Sequence, residues 1–270
     1  MLWLAATPIG NLGDASPRLR EALASADAIA AEDTRHTSQL LRLLGIDQRP
    51  ELIALHDHNE RDRAAAIVDR AEREEVVLVS DAGMPTVSDP GFRVVQLAAE
   101  RGVAVSAIPG PSAVITALAV AGLPTDRFAF EGFLPAKASA RRERLRALAA
   151  EPRTLLFYES SHRIAETLAD MVQAFGDERP AVLARELTKL FETVLDGSLA
   201  QLQVRVEADE DQRKGEFVVL VQGAGEDADA KVIEGRRLYA KLKDHLPPST
   251  AAKLAAELSG APRKALYGSD

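Results

Sequence analysis

The chain has no cysteine among its 270 residues, which excludes disulfides, thiolate metal ligands and cysteine nucleophiles together. It also lacks a hydrophobic run of membrane-spanning length. The apolar opening Met1–Ala6 lasts six residues before Thr7-Pro8 and has no basic leader, so it reads as a first strand and not as a signal peptide. A basic excess is missing too: 33 Lys and Arg against 41 Asp and Glu leave a net charge of −8. That balance argues against a protein that coats nucleic acid non-specifically, because neutralising phosphates takes clustered cations. Two phosphate-binding signatures are also absent. The loop Thr7–Asp14 lacks the Gly-Lys-Ser/Thr ending of a Walker A motif, and Gly10 and Gly13 do not have dinucleotide-fingerprint spacing. What remains is 46% hydrophobic with a mean hydropathy of −0.09, the composition of a soluble, globular, cytoplasmic chain long enough for two ordinary domains, with no membrane partner expected.

The first part of the chain alternates short apolar runs with helical patterns. Strands are expected at Leu2–Ala6, Ala28–Ala31, Leu52–Leu55, Val76–Val79 and Val103–Ile108, and helices at Pro17–Ser25, His36–Leu44, Glu60–Arg73, Phe92–Arg101 and Ser112–Val120. Strands alternating with helices imply an α/β fold with a largely parallel sheet. Ala121-Gly122-Leu123-Pro124-Thr125 breaks the rhythm, giving a first α/β domain over 1–120. A second α/β domain over 121–224 mixes parallel and antiparallel strands at Phe128–Glu131, Thr154–Tyr158, Ala181–Arg185, Phe191–Leu195 and Phe217–Gln222. Its helices fall at Ala138–Ala149, His162–Phe175 and Leu199–Val206. The small acidic stretch Gly223–Ala230 reads as a linker into a helical module over 225–270. There Val232–His245 and Ser249–Leu258 are helices and a short one starts at Pro262, a helix-turn-helix-like arrangement.

Chemistry concentrates in the loops. VSDAGMPTVSDPG at Val79–Gly91 follows a buried apolar run and packs two Asp, two Gly and two Pro into one segment. In open α/β sheets ligands bind just beyond the carboxyl ends of such strands. Thr7–Asp14 and Ile108-Pro109-Gly110-Pro111-Ser112-Ala113 are Gly/Pro loops at the same edge, so the three line one crevice, and Ser112 is placed to cap a helix or bond a ligand. Other polar residues divide between solvent and ligand roles. Arg35 suits a phosphate or an ion pair with Glu32 or Asp33, and His162 and Arg163 open a helix where an anion is favoured. Lys137, Arg141, Arg142, Arg144 and Arg146 form a basic stretch that is either a solvated face or a phosphate rail.

Taken in order, TPIGNLGD, EDTR at Glu32–Arg35, SDAGMPTVSDPG, PGPSA, FYESSHR at Phe157–Arg163, RELTK at Arg185–Lys189 and Gly215-Glu216 resemble the RsmI family of the tetrapyrrole-methylase superfamily, which methylates ribose 2′-hydroxyls of 16S ribosomal RNA. The resemblance runs from the first strand to the C-terminal helices. It implies two α/β domains with S-adenosylmethionine in the cleft between them, a homodimer, and methylation of a cytidine in the decoding region of the small ribosomal subunit. By the same resemblance Pro8, Ser80, Asp81, Ala82, Ser112 and Ala113 line the cofactor site from one side, and Glu159, Leu187, Gly215 and Glu216 from the other. Superfamily members acting on tetrapyrroles carry Gly-Asp-Pro where this chain has Ser80-Asp81-Ala82, which fits the RNA branch. A tetrapyrrole or corrin methyltransferase and a non-catalytic RNA-binding protein of this fold are the alternatives. A ribose hydroxyl is a poor nucleophile, so a base or a cation beside the developing alkoxide is expected. The candidates for that role are Glu186 and Lys189 in RELTK, Glu159, and the cluster His56-Asp57-His58-Asn59-Glu60; the alternatives are that Glu186 and Arg185 pair with neighbours to hold the strand end and that Lys189 is solvated or binds phosphate. Arg35, His58, Glu60, Arg141, Arg142, Arg144, His162 and Arg163 are the candidates for substrate contact, and no metal is expected.

Overall fold

The computed structural model describes residues 1–48, 50–225 and 228–266. They divide into two compact units, one of residues 1–148 with 154–222 and one of 149–153 with 223–270.

The larger unit holds two sheets. The first is wholly parallel: β1 (Leu2–Ala5), β2 (Ala28–Ala31), β3 (Glu51–Ala54), β4 (Val76–Val79) and β5 (Val105–Ile108) lie in the order β3-β2-β4-β1-β5. Helices α1 (Pro17–Ser25), α2 (Thr34–Leu43), α3 (Glu60–Ala71), α4 (Phe92–Glu100) and α5 (Ala113–Val120) follow the five strands in turn. Strand side chains alternate between faces. Leu2, Leu4, Val76 and Leu78 pack against α3 and α4, while Ala5, Ile29, Val77 and Val79 pack against α1 and α2. Both faces are therefore covered, which is why β2 and β4 read as unbroken apolar runs. Caps set the helix starts: the Ser16 hydroxyl accepts from Leu19 N at 3.0 Å, and Asp33 accepts from Arg35 N at 2.8 Å. Asp33 thus starts α2 two residues before the expected His36.

From β1 the chain runs to one side of the sheet, and from β4 to the other. Adjacent strands whose connections leave in opposite directions make a topological switch point, where a crevice opens beyond the strand ends. The loops after β1 and β4 meet there, because Thr7 and Gly83 exchange N–H···O bonds of 2.9 and 3.1 Å.

The second sheet comprises β6 (Phe128–Phe133), β7 (Thr154–Ser160), β8 (Pro180–Arg185), β9 (Thr193–Ser198) and β10 (Glu216–Val221), ordered β6-β7-β10-β8-β9. Only β6 and β7 pair in parallel; the other pairs are antiparallel. One face of this sheet is covered by α5, whose Val114, Ala117 and Leu118 pack on Leu156, Val182, Val218 and Leu220. Helices α6 (Ala138–Leu148), α7 (Ile164–Phe175) and α8 (Leu199–Ala208) pack side by side, α8 also contacting β8.

The smaller unit is helical: α9 (Ala228–Leu242), α10 (Pro248–Ser259) and α11 (Arg263–Leu266). Ala255, Ala261 and Leu266 form its core with Leu238, Tyr239 and Leu242. Gly260 ends α10 in the left-handed conformation at φ 69°. Helix α9 begins inside the stretch expected to be a linker, of which Glu226 and Asp227 lie outside the described residues. No helix among the described residues is long and apolar enough to cross a membrane.

Candidate active site

A cleft of about 540 Å³ lies between the two sheets of the larger unit. Its first wall is built by the loops after β1, β2, β4 and β5, and its second by the ends of β6, β7 and β10 with the loop after β8. Of the residues expected around a cofactor, Asp81, Ala82, Ser112, Ala113, Glu159, Leu187, Gly215 and Glu216 border this one space. Pro8 and Ser80 are not part of its lining. Ser80 is buried, and its hydroxyl donates toward the Ala82 and Gly83 carbonyls at 3.3 Å, so it shapes the loop that carries Asp81. Ser112 sits at the N-terminus of α5 without capping it, leaving its hydroxyl available to the cleft.

Two glycines show how tightly the margins of the cleft are packed, Gly10 across the two walls and Gly215 within the second. A Cβ on Gly10, in the loop after β1, would stand 2.4 Å from Lys189 Cγ, and one on Gly215 would stand 2.5 Å from Glu186 Cγ. Gly215 also adopts φ 98°, which an L side chain resists. The backbone is strained on both sides: Thr86 and Ser88 in the loop after β4, and Glu186 and Thr188 after β8, have φ between 51° and 74°. Left-handed non-glycine residues cost roughly 1–3 kcal/mol each and cluster where structure serves function.

The carboxylates of the cleft differ sharply in how many donors each receives. Glu159 borders the cleft, yet its side chain is wholly buried and turned inward, accepting from Ser160 N at 2.8 Å and Thr167 Oγ1 at 2.7 Å, with Arg163 at 3.4 Å. Glu186 accepts from Lys189 Nζ and Glu216 N, both at 2.9 Å, and Lys189 also reaches Glu216 at 2.8 Å. Burial pushes the Glu186 carboxyl upward, but these two donors outweigh it and hold it below its ordinary value. For Lys189 burial pulls downward, and the bonds to Glu216 and Glu186 win, raising it. The pair is thus a fixed ammonium held by carboxylates, suited to stabilising negative charge and not to taking up a proton.

The first wall is acidic. Asp81 accepts from Asp33 N at 3.1 Å and pairs with His36 Nδ1 at 2.7 Å, which raises the His36 pKa. Beside it lie Glu32 and Asp89, neither singled out from the sequence although both fall inside motifs quoted above. Burial and then the Asp81 charge raise Glu32. Burial and then the Glu32 charge push Asp89 up to about 7. The second wall adds an aromatic group: Tyr158 has its ring centroid 4.9 Å from Phe130 and 5.4 Å from Phe133, and burial raises its hydroxyl to about 12.

Several expected substrate residues are committed elsewhere. Arg141 is buried, donating from Nε to Asp170 at 2.6 Å and from a terminal nitrogen to Glu166 at 3.2 Å; it does not share the exposed face of α6. Arg142 sits 3.6 Å from Asp170, and Arg144 pairs with Glu131, both at least partly exposed. Glu60 is also buried, and its carboxylate accepts from Gly91 N and Arg93 N at 2.9 and 2.8 Å, capping α4 from another element. Arg163 straps the start of α7 to the loop between β6 and α6 by donating to the Leu134 and Pro135 carbonyls at 2.8 and 3.2 Å. Arg35 forms the ion pair with Asp33, at 2.6 Å, that the sequence offered as its alternative. His58 and His162 are exposed, and neither borders the cleft.

Two stacked α/β layers with a cleft at the switch point of the first define a class, and a family model agrees: Tetrapyrrole (Corrin/Porphyrin) Methylases matches residues 1–203, so the chain belongs to that family. Solved structures share the fold. The methyltransferase CobJ superposes with a TM-score of 0.60 at 22% identity, over 83% of this chain and 94% of that one. Diphthine synthase gives 0.59 at 17%, over 82% and 89%. Within the family the chain belongs with the ribosomal RNA small subunit methyltransferases I. It is 63% identical to the protein of that name from Xylella fastidiosa (strain Temecula1), over 99% of this chain and 97% of the other. To the one from Escherichia coli O157:H7 it is 48% identical, over 98% and 93%. A second model, RsmI C-terminal HTH domain, matches residues 229–268.

Proposed function

We propose that this protein transfers a methyl group from S-adenosylmethionine to the 2′-hydroxyl of a cytidine in the decoding region of 16S rRNA, acting in the cytoplasm on the small ribosomal subunit and as a homodimer. In this reading residues 1–120 and 121–224 supply the two walls of the cleft, and 225–270 a separate helical module. The observation that carries it is the cleft beyond β1 and β4, in a chain nearly collinear with proteins named ribosomal RNA small subunit methyltransferase I. The likeness to CobJ is one of fold alone and does not carry its substrate.

The residues present fit the cofactor. Its cationic centres match a wall bearing Glu32 and Asp81, its carboxylate matches the uncapped start of α5 with the Ser112 hydroxyl, and its apolar parts match Ile9, Leu187 and Val218. When bound, S-adenosylmethionine supplies an electrophilic methyl carried on a sulfonium. The chain's own residues then have three tasks. The left-handed loops fix the cleft so that nucleophile and methyl meet in line at about 3–3.5 Å. Lys189, kept protonated by Glu186 and Glu216, presents a cation to charge developing on the ribose oxygen. RNA phosphates fall to exposed cations such as Arg144 and Arg146, and not to the buried Arg141.

Calorimetry with S-adenosylmethionine should give one site per chain, weakened by Gly215→Ala, whose Cβ would displace the Glu186 side chain at the cleft margin. Mass spectrometry of 16S rRNA from cells lacking the protein should show one ribose methyl missing, restored by purified protein and cofactor. An unchanged methylation pattern refutes the assignment.

A further inference from the structure

We propose that Asp89 is the proton acceptor of the reaction, the group that takes the ribose 2′-hydroxyl proton as the methyl arrives; the inference rests on the methyl-transfer reading above. Asp89 borders the cleft on the loop after β4. Its position is set from both sides: Thr86 and Ser88 turn the chain through the left-handed region before it, and Glu60 grips the Gly91 N–H after it at 2.9 Å. The end of β6 closes on the same loop, for a Cβ on Gly132 would stand 3.1 Å from Ser88 Oγ.

The other carboxylates of the cleft are spoken for. Glu159 is wholly buried under three donors, Glu186 holds Lys189 and the Glu216 amide, Glu216 pairs with Lys189, and Asp81 holds the Asp33 amide and His36. Glu32 faces Asp81 and accepts from its backbone. Asp89 has the Ser80 hydroxyl as its favourable neighbour. The charged groups acting on it are Glu32 after β2, Asp57 after β3 and Asp81 after β4, all acidic, and Tyr158 on β7 feels its charge in turn. No cation ranks among the largest influences on it, so its proton affinity near 7 is that of a base poised at working pH.

The step balances. The hydroxyl O–H bond breaks and its proton passes to the Asp89 carboxylate, the oxygen's electron pair forms the new O–C bond, and the methyl's bond to sulfur breaks with its pair staying on sulfur. Asp89 then returns its proton to water once product has left. Glu32 is a positioning residue, whose charge keeps the Asp89 pKa high.

The test uses the full chain, 30S subunits lacking this modification and methyl-labelled cofactor, with single-turnover rates followed from about pH 5.5 to 9. Wild type should gain rate as pH rises through about 7. Asp89→Asn should lose about 10²–10⁴-fold in rate together with that limb. Its calorimetric affinity for S-adenosylmethionine and its binding of 30S subunits should match wild type. Glu32→Gln should keep the limb but move it to lower pH. In the cofactor-free chain, carboxyl-carbon NMR should show one aspartate titrating near 7 that vanishes in Asp89→Asn. The proposal is overturned if Asp89→Asn keeps the wild-type rate or limb, if it loses cofactor affinity instead, or if Glu32→Gln abolishes the limb. Wild-type protein that binds cofactor yet leaves 30S RNA unmethylated overturns the underlying reading, and this inference with it.

Discussion

Replacing Arg141 separates a structural arginine from an RNA-binding one. Its side chain is 3% exposed and that of Asp170, its partner at 2.6 Å, is 8% exposed, so both charges sit away from water. Breaking a buried pair from one side typically costs about 3–5 kcal/mol, because the remaining charge stays buried and uncompensated. Two neighbours modify that figure. Glu166 is 72% exposed and adds little to the pair. Arg142, 3.6 Å from Asp170, remains as a partial partner and places the loss near the lower limit, about 3 kcal/mol. For Arg141→Leu, urea unfolding followed by circular dichroism should therefore show a midpoint lowered by roughly 1 M. Arg141→Leu with Asp170→Leu should return to within about 1 kcal/mol of wild type, since no charge is then stranded. At low temperature, where the single variant is folded, its RNA affinity and salt dependence should be unchanged. An RNA-contacting arginine would behave in the opposite way, keeping stability and lowering the salt slope by about one. Arg141→Leu within about 0.5 kcal/mol of wild type, or a double variant no better than the single, refutes the buried-pair account.

Glu60→Ala strands the Gly91 and Arg93 N–H groups at the start of α4 and should cost about 1–3 kcal/mol in thermal or urea unfolding; a surface-like change below about 0.5 kcal/mol would show that the cap does not matter. Gly215→Ala combines a φ of 98° with a clash at 2.5 Å, so it should lose about 2 kcal/mol and displace the Glu186 carboxylate, read as a lowered melting temperature; an unchanged one would contradict that geometry. Asp89 makes stability depend on pH. Its native pKa of about 7 lies above the ordinary 3.8, so its contribution is complete below 3.8 and is lost as pH rises through about 7. Asp89→Asn should accordingly melt above wild type at about pH 8, with the gap closing toward about pH 4; a gap that is flat with pH refutes the shifted carboxyl.

The first sheet was legible nearly residue by residue. Ala28–Ala31 and Val76–Val79 were read from sequence with the bounds they have in the structure, because strands covered on both faces leave continuous apolar runs. Edges were harder. The strand expected at Phe191–Leu195 is β9, Thr193–Ser198, on the rim of the second sheet. The pattern misled because Phe191 belongs to an exposed turn whose carbonyl accepts from Arg185 at 3.0 Å, while the strand itself contains Asp196 and Gly197. The cleft-lining loops could be read because their signal is local: Gly and Pro crowded just past an apolar run. On sequence alone Arg141, Arg163 and Glu60 are polar residues expected to face solvent or substrate. Their partners lie far along the chain, Asp170 by 29 positions and Gly91 by 31, beyond the reach of any local pattern.

The same distinction governs the candidate chemistry. What a carboxylate does in this cleft depends on the donors within about 3 Å of it, and those donors arrive on separate elements. Glu159 on β7 is silenced by Thr167 and Arg163 of the following helix start, and Glu186 by Lys189 from its own loop and an amide of β10. Asp89 is governed by burial and then by the charge of Glu32, with no cation among its largest influences, and its proton affinity rises to about 7. RELTK was the natural place to seek a base, since it sets a glutamate beside a lysine. That adjacency works against Glu186 as a base, for a lysine near enough to suggest catalysis also lowers the pKa of the carboxylate it touches. A base that works near neutrality needs the reverse setting, burial among like charges. Sequence supplied that setting in two segments, EDTR after β2 and the SDAGMPTVSDPG loop after β4, which the adjacency of β2 and β4 in the order β3-β2-β4-β1-β5 brings together at one sheet edge.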